Sequence, residues 1–236
     1  MGNIKYILSN KDEPYYNLAF EQCLLKKVEA ETVIIFLWQN DNTIVLGRNQ
    51  DAFAECKVDE FVQSGGKVAR RYSGGGAVFH DMGNLCFSVI CMDKTRGDMF
   101  CRKTLADVLA CYGKKVDWNG KNDFLVDGRK ISGNADYSDG RAFCRHGTLL
   151  VSCDIKKMMY YLTPSASKLN KNHVKSISSR VVNLDEIIPG IDISSIREAF
   201  VRITGAEVLY WTPSEGEINS FKKRFESNEW IFGGKV

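Results

Sequence analysis

Apolar residues recur along this chain at two spacings, and the switches between them outline its elements. After Pro14, residues Leu18, Phe20, Cys23, Leu24 and Val28 keep helical spacing and predict an early amphipathic helix. Apolar runs at 33–38 and 43–46 then flank Gln39-Asn40-Asp41-Asn42, a turn-forming set that predicts a hairpin. Leu105, Val108, Leu109 and Tyr112 line one helical face that stops at Gly113, a residue suited to follow a helix end. Asp127-Gly128 and Asp139-Gly140 are turn pairs set among alternating segments at 124–131 and 142–153, so the middle reads as an antiparallel meander. Ile193, Ile196, Phe200 and Val201 run up to Gly205, and Ser214-Glu215-Gly216-Glu217 forms a capping box ahead of Ile218, Phe221 and Phe225. Two helices therefore close the chain.

These elements describe an α+β fold of mixed, mainly antiparallel β-sheets packed with helices. With 4 prolines, no fixed repeat and no linker-like tract, residues 1–236 read as one domain. A chain of 236 residues that is 44% hydrophobic can bury a sizeable core, which excludes wholesale disorder. The formal charge of +3 is too slight to call for a nucleic-acid or anionic-membrane partner. The longest wholly apolar run, 33–38, is far short of the roughly 20 residues of a membrane helix. Eight cysteines without a CxxC pair fit a reducing, cytoplasmic setting. The stretch 163–181 is polar, carries Lys168, Lys171, Lys175 and Arg180, and lacks periodicity, as a functional loop or lid would.

Candidate chemistry concentrates between expected strands at 67–71 and 84–90, in Arg70-Arg71-Tyr72-Ser73-Gly74-Gly75-Gly76-Ala77-Val78-Phe79-His80-Asp81. Three adjacent glycines clear the Cβ atoms that would block a tight turn or a ligand against the backbone, and their N–H groups suit a phosphate. A bare glycine triplet is an ordinary flexible turn, but the flanking Arg70-Arg71 and His80-Asp81 pairs favour anion binding. The pattern is neither a P-loop nor a dinucleotide fingerprint. A second set is Asn122-Asp123, followed after the turn by Lys130-Ile131-Ser132-Gly133-Asn134-Ala135. Lys130 there is a cation for a carboxylate or phosphate, the small residues admit a ligand, and Asp123 offers a hard oxygen to Mg²⁺. In the third set, Arg145-His146-Gly147-Thr148, the glycine allows close approach to an apolar strand, whereas His146 and His80 on their own read as structural.

Taken in order, RRYSGGGAVFHDMGN at 70–84, KND at 121–123, GRKISGNA at 128–135, HGTLL at 146–150 and SISSRVVNL at 176–184 resemble the lipoate-protein ligase A family of the biotin/lipoate ligase superfamily. The early EPYYNLAFEQ, FLWQNDNTIVLGRNQ and the final EWIFGG extend the resemblance over nearly the whole chain. It implies an enzyme that joins lipoate and MgATP into lipoyl-adenylate and passes the lipoyl group to a lysine of a lipoyl-domain protein, such as an H protein or the E2 subunit of a 2-oxoacid dehydrogenase. By the same resemblance Lys130 is the catalytic residue, bridging the lipoyl carbonyl and the α-phosphate. Arg71, Gly76, Ala77, Val78, Phe79 and Asn122 would hold ATP, and Asp123 the metal. Lipoate would lie against Arg70, Ser73, Gly74, Gly75, His80, Gly133, His146 and Gly147. Lys168, Lys175 and Arg180 fall in the family's adenylate-binding loop. The family's accessory C-terminal domain is expected to be absent, its place open to a separate protein.

Two other readings use the same residues. A lipoyl or octanoyl transferase of this fold would act without its own ATP step, on lipoyl groups made elsewhere, or through a cysteine thiolate that carries the acyl group, for which Cys144 beside His146 is the candidate against its ordinary role as a small buried residue. A protein that only binds lipoyl-adenylate or docks on a lipoyl domain would have less use for Lys130 and Asp123. Zinc chemistry finds no spaced Cys/His set.

Overall fold

The computed structural model describes residues 3–119, 122–163 and 181–233. Its first half runs β1 (Asn3–Leu8), α1 (Pro14–Lys27), β2 (Thr32–Trp38), β3 (Thr43–Leu46), α2 (Ala52–Glu55), α3 (Val58–Gln63), β4 (Lys67–Arg70), β5 (Val78–His80) and β6 (Asn84–Cys91). There follow α4 (Lys94–Ala110), β7 (Asp117–Trp118), β8 (Asp123–Val126), β9 (Arg129–Ser138), β10 (Phe143–Leu150) and α5 (Ile155–Tyr161). The last elements are α6 (Ile193–Thr204), β11 (Glu207–Val208), α7 (Glu215–Phe225) and α8 (Asn228–Phe232).

The unbroken apolar run of β2 arises because both of its faces are covered. Val33, Ile35 and Leu37 enter one core cluster, with Leu105 and Val108 of α4 and Phe200 of α6. Ile34, Phe36 and Trp38 enter another, with Leu24 of α1 and Ile218 of α7. β2 is therefore an inner strand of an eight-stranded sheet ordered β11-β1-β2-β6-β10-β9-β8-β7. A three-stranded sheet, β4-β3-β5, stands apart and has its own core around Phe61, Phe79 and Ile231. β1 pairs in parallel with β2 and β11, as β3 does with β4, and the remaining pairings are antiparallel.

The hairpin expected across 39–42 does not form, since β2 belongs to the large sheet and β3 to the small one. The segment crosses between sheets, and Asn40 is fully buried there, accepting a hydrogen bond from Asn17 Nδ2 at 2.9 Å. The meander, the helix ahead of Gly113 and both closing helices form as the pattern predicts, with the Ser214 capping box in place. Asp127 and Gly128 both take positive φ (50° and 75°), the geometry that lets a two-residue turn join β8 to β9. Helix α1 is not amphipathic, because Asn17, Glu21 and Gln22 are buried along with its apolar residues. Strand β5 within the glycine-rich stretch was not expected. Among the described residues no helix is long and apolar enough to cross a membrane.

Phe200 fills one face of the large sheet at 1% exposure and packs 6.1 Å from the Phe87 ring. Phe200→Ala is expected to cost about 3–5 kcal/mol in denaturant unfolding, with the slope unchanged. A loss under about 1 kcal/mol would mean that α6 contributes little to closing that face.

Candidate functional site

One row of residues crosses five neighbouring strands of the large sheet. Trp38 of β2 faces Cys86 of β6, and Cys86 faces Thr148 of β10. Asn134 of β9 pairs with Gly147, which sets Gly133 opposite Thr148, and the Gly133 N–H donates to Thr148 Oγ1 at 3.3 Å. Gly133 in turn faces Asp123 of β8. Paired residues share a sheet face, so this row forms the floor of a cavity of about 190 Å³. Its Trp38 and Cys86 end is closed in by Leu18 of α1 and Val45 of β3, and its other end carries Lys130, Asn122 and Asp123. The cavity thus grades from apolar to charged across the strands.

At the charged end Lys130 Nζ lies 2.8 Å from Asp123 Oδ1. A Cβ on Gly133 would stand 2.9 Å from that same nitrogen, so the lysine tip uses the space that the glycine leaves open and would have to shift for any larger residue. Val182, the second residue after 164–180, donates its N–H to the Lys130 carbonyl at 3.0 Å. Asn122 and Asn134 are tied together, with Asn134 N and Nδ2 donating to the Asn122 carbonyl at 2.7 and 2.9 Å. The expected loop residues Lys168, Lys175 and Arg180 lie outside the described residues.

The two arginines of the motif part company. Arg71 is buried at the cavity wall, donating from Nη2 to the carbonyls of Gly74 and Gly76 (2.7 and 2.8 Å), from Nη1 to Val45 and from Nε to Ser73 Oγ. Burial pulls its guanidinium down to about 10, an effect the Glu21 carboxylate opposes. Gly75, at φ 92°, places no Cβ against Arg71 Nη2. Arg70 points the other way: it clamps the carbonyls of Ile231, Gly47 and Arg48 and does not line the cavity. Trp230 Nε1 bonds the Arg70 carbonyl at 2.8 Å, so the EWIFGG segment is part of this clamp.

Of the other expected residues, Gly75, Gly76, Ala77, Val78 and His80 line the cavity, as do Gly133, His146 and Gly147. Ser73 is buried behind the wall, Gly74 is exposed on the turn, and the Phe79 side chain packs edge-on to Phe61 in the small-sheet core, so these three join Arg70 outside the lining. His80 accepts from Asn40 Nδ2 at Nδ1 (3.1 Å), which requires the ring to lack a proton there. Burial, with help from Arg71 and His146, pushes His80 down to about 3, so it is neutral.

Behind His146 stands a residue that the sequence did not single out. Glu21 of α1 meets His146 Nδ1 at 2.9 Å, while Ser73 Oγ lies 2.6 Å from His146 Nε2. A carboxylate one turn from Leu18, Leu24 and Leu25 was a visible anomaly on that helix face. Glu21, Cys144 and His146 hold their ligand-type atoms within 4.8 Å of one another, a donor set suited to a soft cation, yet Glu21 already accepts from Ser88 Oγ at 2.5 Å and from His146. Burial beside Glu21 pushes the Cys144 thiol well above its ordinary range, and Cys144 does not line the cavity. That removes it as an acyl-carrying thiolate. All eight cysteines are unpaired.

Residues 13–204 match the family described as the lipoyl protein ligase A/B catalytic domain. Over 99% of its length the chain is 38% identical to a lipoate-protein ligase A of Blochmanniella pennsylvanica, and it spans 73% of that protein. Among solved structures it is similar to one from an archaeal lipoylation system, described as a bipartite lipoate protein ligase and its E2 lipoyl domain from Thermoplasma acidophilum, at TM-score 0.82, 24% identity and coverage of 100% of this chain and 97% of that one. It is also similar to LipL1 of P. falciparum in complex with lipoate, at TM-score 0.82, 25% identity and coverage of 99% and 75%.

The titration of His80 has a measurable consequence. The unfolded chain binds that proton near the ordinary 6.5 and the folded chain only near 3, so stability falls as pH drops from about 6.5 toward 3. His80→Gln is expected to flatten the stability curve by about one proton between pH 6.5 and 4.5, read by denaturant unfolding at stepped pH. Parallel losses in both proteins across that window would assign the effect to another group.

Proposed function

The chain belongs to the lipoyl protein ligase A/B catalytic-domain family, and on that premise we propose that it is a lipoate-protein ligase, activating lipoate with ATP and passing the lipoyl group to a lipoyl-domain protein. The observation that carries this reading is the graded row from Asp123 to Trp38. Gly133, under the Lys130 ammonium, is two strands from Cys86, about 10 Å at the usual strand spacing. An extended eight-carbon acyl chain is about 9 Å long. A carboxylate at Lys130 therefore sets the dithiolane ring, which closes the far end of the chain, against Cys86 and beside Trp38.

In the first step a carboxylate oxygen of lipoate attacks the α-phosphorus of ATP; a new P–O bond forms and the bond to the departing pyrophosphate breaks. Little covalent work falls to the protein, so positioning and charge dominate. Lys130 neutralises charge between carboxylate and α-phosphate, Arg71 faces the same cavity, and the N–H side of the 74–76 turn receives phosphate oxygens. The Asp123 carboxylate, which faces the cavity beside Lys130, fits as the protein ligand of Mg²⁺, with phosphates and water completing the shell. When bound, that ion offsets phosphate charge.

In the second step the amine of the acceptor lysine attacks the acyl carbonyl, the amide forms and AMP leaves with the bonding electrons. Lys130 is placed to stabilise the oxyanion in this step as in the first. Lys168, Lys175 and Arg180, which lie outside the described residues, would supply further cations to the adenylate. The acceptors are lipoyl-domain proteins, an H protein or E2 subunits, each presenting a lysine. The unpaired cysteines suit a reducing, cytoplasmic location.

The test is intact mass of an apo lipoyl domain after incubation with this protein, lipoate and MgATP, beside a second tube that receives lipoyl-adenylate alone. The expected result is the lipoyl mass increment in both tubes. An increment only with lipoyl-adenylate would assign activation to a second protein, and none in either would end the ligase reading. Lys130→Ala is expected to lower both steps by about 10²–10³ with the fold intact; a normal rate of either step would remove Lys130 from its role. Trp38→Ala opens the apolar end and is expected to raise use of ten-carbon over eight-carbon acids by about tenfold or more in competition. An unchanged ratio would place the chain end elsewhere.

A further inference from the structure

Arg71 is a buried cation at the cavity wall, and the hydrogen bonds that reach it trace back to one carboxylate. Glu21 is 2% exposed and accepts from His146 Nδ1 at 2.9 and 3.1 Å. On the other side of the ring, His146 Nε2 meets Ser73 Oγ at 2.6 Å, and Ser73 Oγ accepts from Arg71 Nε at 2.9 Å. The three side chains ahead of Arg71 are each 7% exposed or less, so water does not complete their bonding. We infer that Glu21 is a positioning residue, its carboxylate acting through His146 and Ser73 to hold Arg71 in place at the cavity wall before substrate enters.

The polarity of the chain follows from the two ends. A carboxylate only accepts, so His146 carries its proton on Nδ1. In the singly protonated ring Nε2 is then an acceptor, which takes the Ser73 O–H and turns a Ser73 lone pair toward Arg71 Nε–H. Each bond points one way, from Arg71 to Ser73 to His146 Nε2 and, through the ring, from Nδ1–H to Glu21. A carboxylate this deep is costly unless hydrogen-bonded and matched by charge. Ser88 Oγ at 2.5 Å supplies a further donor, and Arg71 is the buried cation at the far end. With Nε fixed, the Arg71 Nη2 stays on the carbonyls of Gly74 and Gly76. The arrangement therefore shapes the turn proposed to meet phosphate. Ser73 itself is 1% exposed and does not line the cavity, so the resemblance of Ser73, His146 and Glu21 to a nucleophilic triad stops at their order.

This inference deepens the ligase reading and rests on it for the kinetic part of its test. The first readout is independent of activity: NMR of the ligand-free protein labelled with ¹⁵N in its 3 histidines, His146 being assigned by His146→Gln. The expected result is a ring protonated on Nδ1 with Nε2 free, and a ring protonated on Nε2, alone or together with Nδ1, would overturn the inference. The second readout is single-turnover adenylate formation, with rates expressed per correctly folded molecule. Glu21→Gln keeps the shape and removes the charge. It is expected to lower the saturating single-turnover rate about tenfold, with the half-saturating lipoate concentration within about twofold.

If Glu21 acts through Arg71, the same substitution in an Arg71→Lys background adds less than about threefold. A full tenfold loss in both backgrounds, or a loss explained by the unfolded fraction alone, would overturn the inference. If Glu21→Gln does not fold, Ser73→Ala replaces it in the same cycle, since it cuts the chain at its middle with the charges in place. Failure of the unmodified protein to form adenylate would assign activation to a second protein and end the kinetic role, while the histidine NMR would still decide the Glu21 relay.

Discussion

The site is organised around the close approach of the Lys130 ammonium to Gly133, where a Cβ would stand 2.9 Å from it. Lys130 Nζ occupies the space beside Gly133, held by Asp123 at 2.8 Å, and the adjoining row of Thr148, Cys86 and Trp38 falls away from it into apolar surroundings. The spacing of the strands then fixes how far a carboxylate chain reaches from that charge. A residue with a Cβ at 133 would displace the lysine, and with it the zero point of the scale.

The second constraint is burial of charge. Arg71 spends its donors on backbone carbonyls and on Ser73, which makes the glycine-rich turn a fixed wall rather than a free loop. Arg70 does comparable work in the opposite direction, tying α8 to the end of β3 through Ile231 and Gly47. One arginine thus shapes the cavity and its neighbour closes the small sheet, as alternation along an extended segment requires. Glu21 balances the first of them from a helix on the far side of His146.

Much of this was legible in the sequence. The turn pairs Asp127-Gly128 and Asp139-Gly140, the helix ends at Gly113 and Gly205 and the Ser214 capping box each depend on local chemistry, and each stands where the pattern put it. What was not legible depends on partners distant in sequence. The run at 33–38 looked like half of a hairpin because nothing local says that helices cover both its faces. Arg70 and Arg71 are indistinguishable by type, and only the strand's alternation, with Trp230 and Ile231 about 160 residues away, separates them. Glu21 carries no sequence signal of its partner, since His146, which it meets at 2.9 Å, lies 125 residues away. The Lys130–Asp123 pair was the exception, since a hairpin turn brings β8 and β9 together and the sequence carries that turn.

The most direct test of this account is the structure of the protein with a non-hydrolysable lipoyl-adenylate analogue. The account predicts the acyl carbonyl within hydrogen-bond distance of Lys130 Nζ, the chain running across Gly133 and Thr148, and the dithiolane ring in contact with Cys86 and Trp38. An acyl chain leaving Lys130 in another direction, with the Trp38 end of the cavity empty, would contradict it.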